Sequence, residues 1–210
     1  MLGSYLNYIS TQKSRVSVGA GGNEGNSAHH FFGQISAREA YQDVEIRVGE
    51  NEKGFIMELW GDAPYFYNAV IRTPGGETAR WNNPRSYVPQ EFTFVYEKTR
   101  IVIEYQLVES LSGAEVIRFR FSDPTQGIWN SRINSEGSAM GGQFDIWLPI
   151  SEFLASDTYF LESSPYTTIT EPGYVHSAVT VAGYQISNNS IAAFSGRGNA
   201  RDNYIVPDTA

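Results

Sequence analysis

The sequence predicts a mainly β protein: a jelly-roll β-sandwich over residues 44–150, set between two partial α/β segments at 1–43 and 151–210. Three observations predict it. Apolar residues alternate with polar ones at period two through the middle of the chain. Turn-forming residues punctuate that region at short intervals. The two ends share a different texture, in which short strands of small residues run into glycine-rich loops. Hydrophobic residues make up 41 % of the 210 and aromatics 14 %, enough for a sizeable core and well suited to pleated, half-buried surfaces.

In the first segment, Leu2, Leu6 and Ile9 recur near helical spacing with Tyr5 beside them, predicting a short helix. An apolar strand follows at Val16–Ala20. It runs directly into Gly21-Gly22-Asn23-Glu24-Gly25-Asn26, a stretch that neither a helix nor a strand interior accommodates. Helix, short strand and glycine loop is the order of an α/β layer with a site at the carboxyl end of the strand.

From residue 44 the period is two. Val44, Ile46 and Val48 share one face; so do Phe55, Met57 and Leu59, and so do Phe92, Phe94 and Tyr96. Ile101, Ile103, Tyr105 and Leu107 continue the series, followed by Ile117, Phe119 and Phe121, and by Phe144, Ile146 and Leu148. Turn signals lie between them, among them Thr73-Pro74-Gly75-Gly76, Asn82-Asn83-Pro84, Ser122-Asp123-Pro124 and the run from Ser135 to Gly142. Seven or eight antiparallel strands, each with one buried face, imply two packed sheets. In the last segment Val179–Ala182 reads as a short strand, and Ile191–Phe194 as another that ends in Ser195-Gly196-Arg197-Gly198.

The formal net charge of -8 opposes a phosphate backbone, and no basic cluster supplies a footprint, so nucleic acid is not an expected partner. No apolar run reaches bilayer length, and the amino terminus lacks a charged-then-apolar leader pattern, so no membrane partner is expected either. With no cysteine there is neither a disulfide nor a thiolate metal site. His29 and His30 are adjacent and lack a carboxylate at i, i+4, which favours loop histidines over metal ligands. No cofactor is expected. Trp60, Trp81, Trp129 and Trp147 fit either core packing or an exposed stacking platform for sugars.

One segment carries chemistry. Val18-Gly19-Ala20-Gly21-Gly22-Asn23-Glu24-Gly25 resembles the strand and turn with which subtilisin-like proteases present the asparagine of the oxyanion hole. Acyl transfer places negative charge on the former carbonyl oxygen, and a fixed carboxamide N–H about 3 Å away stabilises it. Three further segments occur in the order such proteases use: Ala178-Val179-Thr180-Val181-Ala182-Gly183, then Ala193-Phe194-Ser195-Gly196-Arg197-Gly198, then Val206-Pro207-Asp208-Thr209-Ala210. The spacing differs, because the whole alternating region stands between the asparagine and the Val-Thr-Val strand. In that respect the chain resembles the Csp-type subtilases of spore-forming anaerobes, whose protease domain carries a jelly-roll insertion at this place. The texts Gly54–Gly61, Phe144–Pro149 and Tyr166–Gly173 are similar to theirs as well.

The resemblance implies that Asn23 is the oxyanion-hole residue and that Ala20, Gly21 and Gly22 line the substrate groove. Glu24 then stands at the rim of the pocket for the side chain before the scissile bond, or is a solvated loop acid. Gly21 replaces the family's usual Ala, and Thr209 its Ile. No Asp-Thr/Ser-Gly, His-Gly-Thr-His or Gly-Thr-Ser-Met-Ala segment occurs in the sequence. The expectation is therefore an internal fragment of a serine endopeptidase, acting on a protein or peptide substrate through its parent and inactive alone. For Csp-type relatives the resemblance implies limited proteolysis of a spore cortex-hydrolase zymogen, in a bacterial, spore-associated or intracellular setting. Ser195 falls in a structural turn rather than at a nucleophile position. The alternative is a non-catalytic β-sandwich that binds or rigidifies within a pseudoprotease. The short parallel strands Val16–Ala20 and Val179–Ala182 would present free edges, so self-association through them, or disorder in them, is expected.

Overall fold

The structure is a computed structural model that describes residues 2–36, 39–81, 88–110, 112–136 and 141–210. The turn signal Asn82-Asn83-Pro84 and residues 137–140 of the Ser135–Gly142 run lie outside the described residues. In chain order the elements begin with α1 (Leu2–Ser10), β1 (Ser17–Ala20), β2 (His30–Ile35), β3 (Tyr41–Val48), β4 (Gly54–Gly61) and β5 (Phe66–Arg72). They continue with β6 (Thr78–Arg80), β7 (Gln90–Thr93), β8 (Arg100–Gln106), β9 (Glu115–Ser122), β10 (Gly127–Glu136), β11 (Gly142–Trp147) and β12 (Tyr159–Phe160). The last are β13 (Ala178–Val181), β14 (Tyr184–Gln185) and β15 (Ser190–Ile191). The chain forms two compact units, one from Met1–His30 with Ser164–Ala210 and the other from Phe31–Ser163.

The central unit holds a five-stranded sheet, β12-β3-β10-β5-β6, and a six-stranded sheet, β2-β11-β4-β9-β8-β7. The ladders β3–β10–β5–β6 and β11–β4–β9–β8–β7 are antiparallel. Alternation fixes which face each strand buries. In β4, Phe55, Met57 and Leu59 are buried while Ile56, Glu58 and Trp60 are only half-buried. β9 opposes it in register, Met57 against Phe119 and Leu59 against Ile117. Both sheets turn these faces to one common core, with Val44 and Ile46 of β3 and Ile133 of β10 on the other side. Trp129 of β10 is the largest side chain fully enclosed there. Its ring meets Phe94 and Phe121 edge-on at 5.6 Å each, and its Nε1–H donates to Thr125 O at 2.8 Å.

Strands β5, β6, β10 and β2 escape the period-two reading. β5 turns Tyr67, Ala69 and Ile71 inward, and its outer face mixes Phe66 and Val70 with Asn68 and Arg72, so its sequence does not alternate cleanly. β10 places Ser131 at a fully buried inward position, which breaks its apolar series. The predicted face of Phe92, Phe94 and Tyr96 also needs correction. β7 stops at Thr93, and Tyr96 is 84 % exposed. The chain turns at 95–98, where Phe94 N–H donates to Thr99 O and the Glu77 carboxylate accepts from Val95 N and Tyr96 N.

Two of the four tryptophans, Trp81 and Trp129, are core residues. Trp60 and Trp147 are half-buried, and Trp60 Nε1–H is turned along its own strand to Glu58 Oε2 at 3.1 Å. A platform of four exposed indoles is therefore not formed.

In the other unit, α1 lies where the spacing predicts it and none of its residues is buried. β1 pairs in parallel with β13, Gly19 opposite Thr180 and Ala20 opposite Val181. The strand expected over Ile191–Phe194 is shorter: β15 ends at Ile191, and Ser195 N–H closes a turn onto Ala192 O at 3.0 Å.

Candidate active site

The candidate site lies wholly in the unit built from the two chain ends, at the carboxyl end of β1. Gly21 N–H donates to Val181 O at 2.8 Å, so the parallel ladder continues one residue beyond the strand. The backbone then enters the left-handed region at Gly22, φ +85°. A side chain could not follow it there, since a Cβ would lie 2.2 Å from Thr170 Oγ1. Around this point the carbonyl of Gly21 accepts from Thr170 N at 3.3 Å, and that of Gly22 from Gly196 N at 2.9 Å. On the far side of Asn23, Gly25 N–H donates to Phe194 O at 2.9 Å.

Asn23 is thus held by its neighbours and not by its own side chain. It is exposed, and its carboxamide makes no hydrogen bond to another described residue. Both donors of the amide are free to meet an oxygen arriving from outside. Ala20 beside it is exposed, Gly22 is half-buried, and Gly21 is buried. Glu24 is only 9 % exposed, so it is not a solvated loop acid; its Oε2 lies 2.8 Å from Nδ1 of His29, itself 9 % exposed.

The three sequence segments that stand far apart in the chain converge on this loop. β13 supplies the strand beside β1. Segment 193–198 supplies Gly196 and Phe194, which hold residues 22 and 25. Asp208 completes the arrangement: its Oδ2 accepts from Thr180 N at 2.7 Å and its own N–H donates to Thr180 O at 2.9 Å. Ser195 is fully buried, with Oγ accepting from Gly183 N at 2.9 Å. A hydroxyl so enclosed and engaged is a strut of the turn and is not presented for attack. Among the described residues no group of three His, Cys, Asp or Glu is arranged to hold a metal ion.

Sequence reading missed the Glu24–His29 contact and the part played by Thr168 and Thr170. Thr168 is buried; its N–H donates to Arg197 O at 3.2 Å and its Oγ1 accepts from Arg197 N at 3.0 Å. The signal for the threonines was the segment Thr167-Thr168-Ile169-Thr170, which no periodicity explains.

The glycines of the loop make a direct test. In Gly25→Ala the added carbon would lie 1.9 Å from the backbone oxygen of Ser195, and a backbone atom cannot swing aside. In Gly21→Ala the nearest atom is Ile169 Cδ1 at 3.2 Å, the mobile end of a side chain. Gly25→Ala is expected to destabilise by about 1–3 kcal/mol and Gly21→Ala by less than about 1 kcal/mol, read from urea denaturation midpoints.

A scan of family models gave no match, and no curated protein sequence matched. Among solved structures the chain is similar, over its whole length, to a protease, with 28 % sequence identity and a TM-score of 0.85. That structure is the Clostridium perfringens CspB protease, and the present chain spans 44 % of its length. The likeness supports a Csp-like relationship and a protease-related function for this chain.

Proposed function

We propose that this chain is the oxyanion-bearing part of a subtilisin-like serine endopeptidase of the Csp type, carrying a jelly-roll insertion between two subtilase segments. The observation that carries the proposal is the free, exposed carboxamide of Asn23 on a loop pinned on both sides. Small residues at Ala20, Gly21 and Gly22 leave room for an extended substrate backbone beside β1. When a serine oxygen adds to the scissile carbonyl, charge gathers on the carbonyl oxygen, and the Asn23 N–H donates to it. The base that takes the serine proton hands it to the leaving amine as the C–N bond breaks, and water then releases the acyl group from the serine.

The serine, its histidine base and the aspartate that orients it would come from sequence beyond 1–210, which has none of their motifs. Without a base the hydroxyl is a weak nucleophile, so the 210-residue chain has no hydrolytic activity of its own in this reading. The substrate class is a protein cut at a limited site, a spore cortex-hydrolase zymogen by family resemblance. A fluorophosphonate probe tests the assignment. The full-length protein is expected to be labelled and the 210-residue chain left unlabelled. Failure of the full-length protein to label would leave the non-catalytic, pseudoprotease reading in its place.

A further inference from the structure

We propose that Glu24 and His29 form the positioning pair of this site, a buried clasp that holds the loop so that Asn23 faces the oxyanion. The inference rests on the reading of Asn23 above and assigns Glu24 a place different from the rim of the substrate pocket. Glu24 is joined to Asn23 by one peptide bond, and its side chain and that of His29 are each about 10 % exposed. Oε2 and Nδ1 are 2.8 Å apart. The chain between them closes tightly: Ser27 N–H donates to Glu24 O at 3.3 Å, and Ala28 sits in the left-handed region at φ +58°, an unusual place for a residue with a Cβ. Next to Glu24, Gly25 lies against the backbone of Phe194 and Ser195.

Two physical consequences follow. Removing Glu24 takes the carboxylate partner from the buried Nδ1 of His29, which is more damaging than the contact itself is stabilising, and removing His29 frees one side of the clasp. The loop would then relax toward water and carry Asn23 with it. A misplacement of about 1 Å in a group aimed at a transition state is enough to slow a reaction about 100-fold. The second consequence concerns selectivity. A carboxylate already engaged by His29 is not available to a basic substrate side chain, so the pair sets geometry and leaves substrate charge unread.

The test uses Glu24→Ala, Glu24→Gln and His29→Ala, in the 210-residue chain and in the full-length protein. In the chain, amide exchange over residues 22–26 is expected to rise about tenfold or more in Glu24→Ala and His29→Ala, with β13 unchanged. Glu24→Gln keeps an oxygen for the Nδ1–H donor and is expected to restore most of the protection. Unchanged exchange in both deletions would overturn the proposal. In the full-length protein, peptide p-nitroanilides with Lys or Ala before the scissile bond should show kcat lowered about 10- to 100-fold with KM unmoved for both. A rise in KM confined to the Lys peptide would overturn it by putting Glu24 in contact with substrate. Should the full-length protein lack peptidase activity altogether, the functional reading fails, and the exchange measurement still decides whether the pair holds the loop.

Discussion

Asn23→Ala is expected to lower kcat of the full-length protein about 10²- to 10³-fold while leaving KM nearly unchanged, the range known for one such donor in subtilisin. The reason for so large an effect from one exposed side chain is where its hydrogen bond is made. In the ground state the carboxamide has no partner among the described residues, so nothing in the folded chain depends on it. In the proposed reading its donor is used only when charge develops on the substrate oxygen, and an interaction confined to the transition state appears in kcat rather than KM. The same argument fixes a control. Since Asn23 is exposed and unbonded, the substitution is expected to move the stability of the 210-residue chain by no more than about 0.5 kcal/mol. Loss of activity with retained stability marks a transition-state donor. Equal loss of both would mean that Asn23 supports the loop, and a full-length protein indifferent to the change would remove Asn23 from the chemistry.

The second large effect is on stability. Trp129→Ala is expected to destabilise the central unit by about 3–5 kcal/mol, measured by urea denaturation. The indole is fully buried at the seam of the two sheets, between Phe94 after β7 and Phe121 of β9. These rings stand edge-on to it and cannot slide together to close the space, so most of the cavity would remain. The Thr125 carbonyl would lose the Nε1–H donor as well. Trp129→Phe fills part of the volume and should recover about half of the loss. Set against a total stability of about 5–15 kcal/mol for a domain, the Ala variant stands near the threshold of folding.

How much of this was legible in the sequence differs between the sandwich and the site. β3, β4, β8, β9 and β11 could be read because each buries an apolar series at every second position, while the other face is half-buried or exposed over most of its length. β5 hides its pattern by mixing Phe66 and Val70 with Asn68 and Arg72 on its outer face, and β10 by burying Ser131. In the site, the order of segments around Asn23, Thr180 and Phe194 was legible, since short motifs survive any length of sequence between them. The orientation of Glu24 was not. The carboxylate meets His29 across a local turn, closed by Ser27 N–H on Glu24 O with Ala28 left-handed, beside Gly25 packed on Phe194 and Ser195 from the far end of the chain. No sequence motif announces either feature.

The hydrogen bond from Ser164 N to His30 O, at 2.8 Å, joins the two chain positions between which the central unit lies. Two backbone positions that are already neighbours form a port: a guest of any length that begins and ends side by side can be spliced there without pulling the host apart. Closing the port over a longer guest adds only a logarithmic penalty in chain entropy, and closing it with a two-residue bridge adds little more. On the proposed insertion reading, the length of the central unit is therefore set by its own folding and not by the span it must bridge.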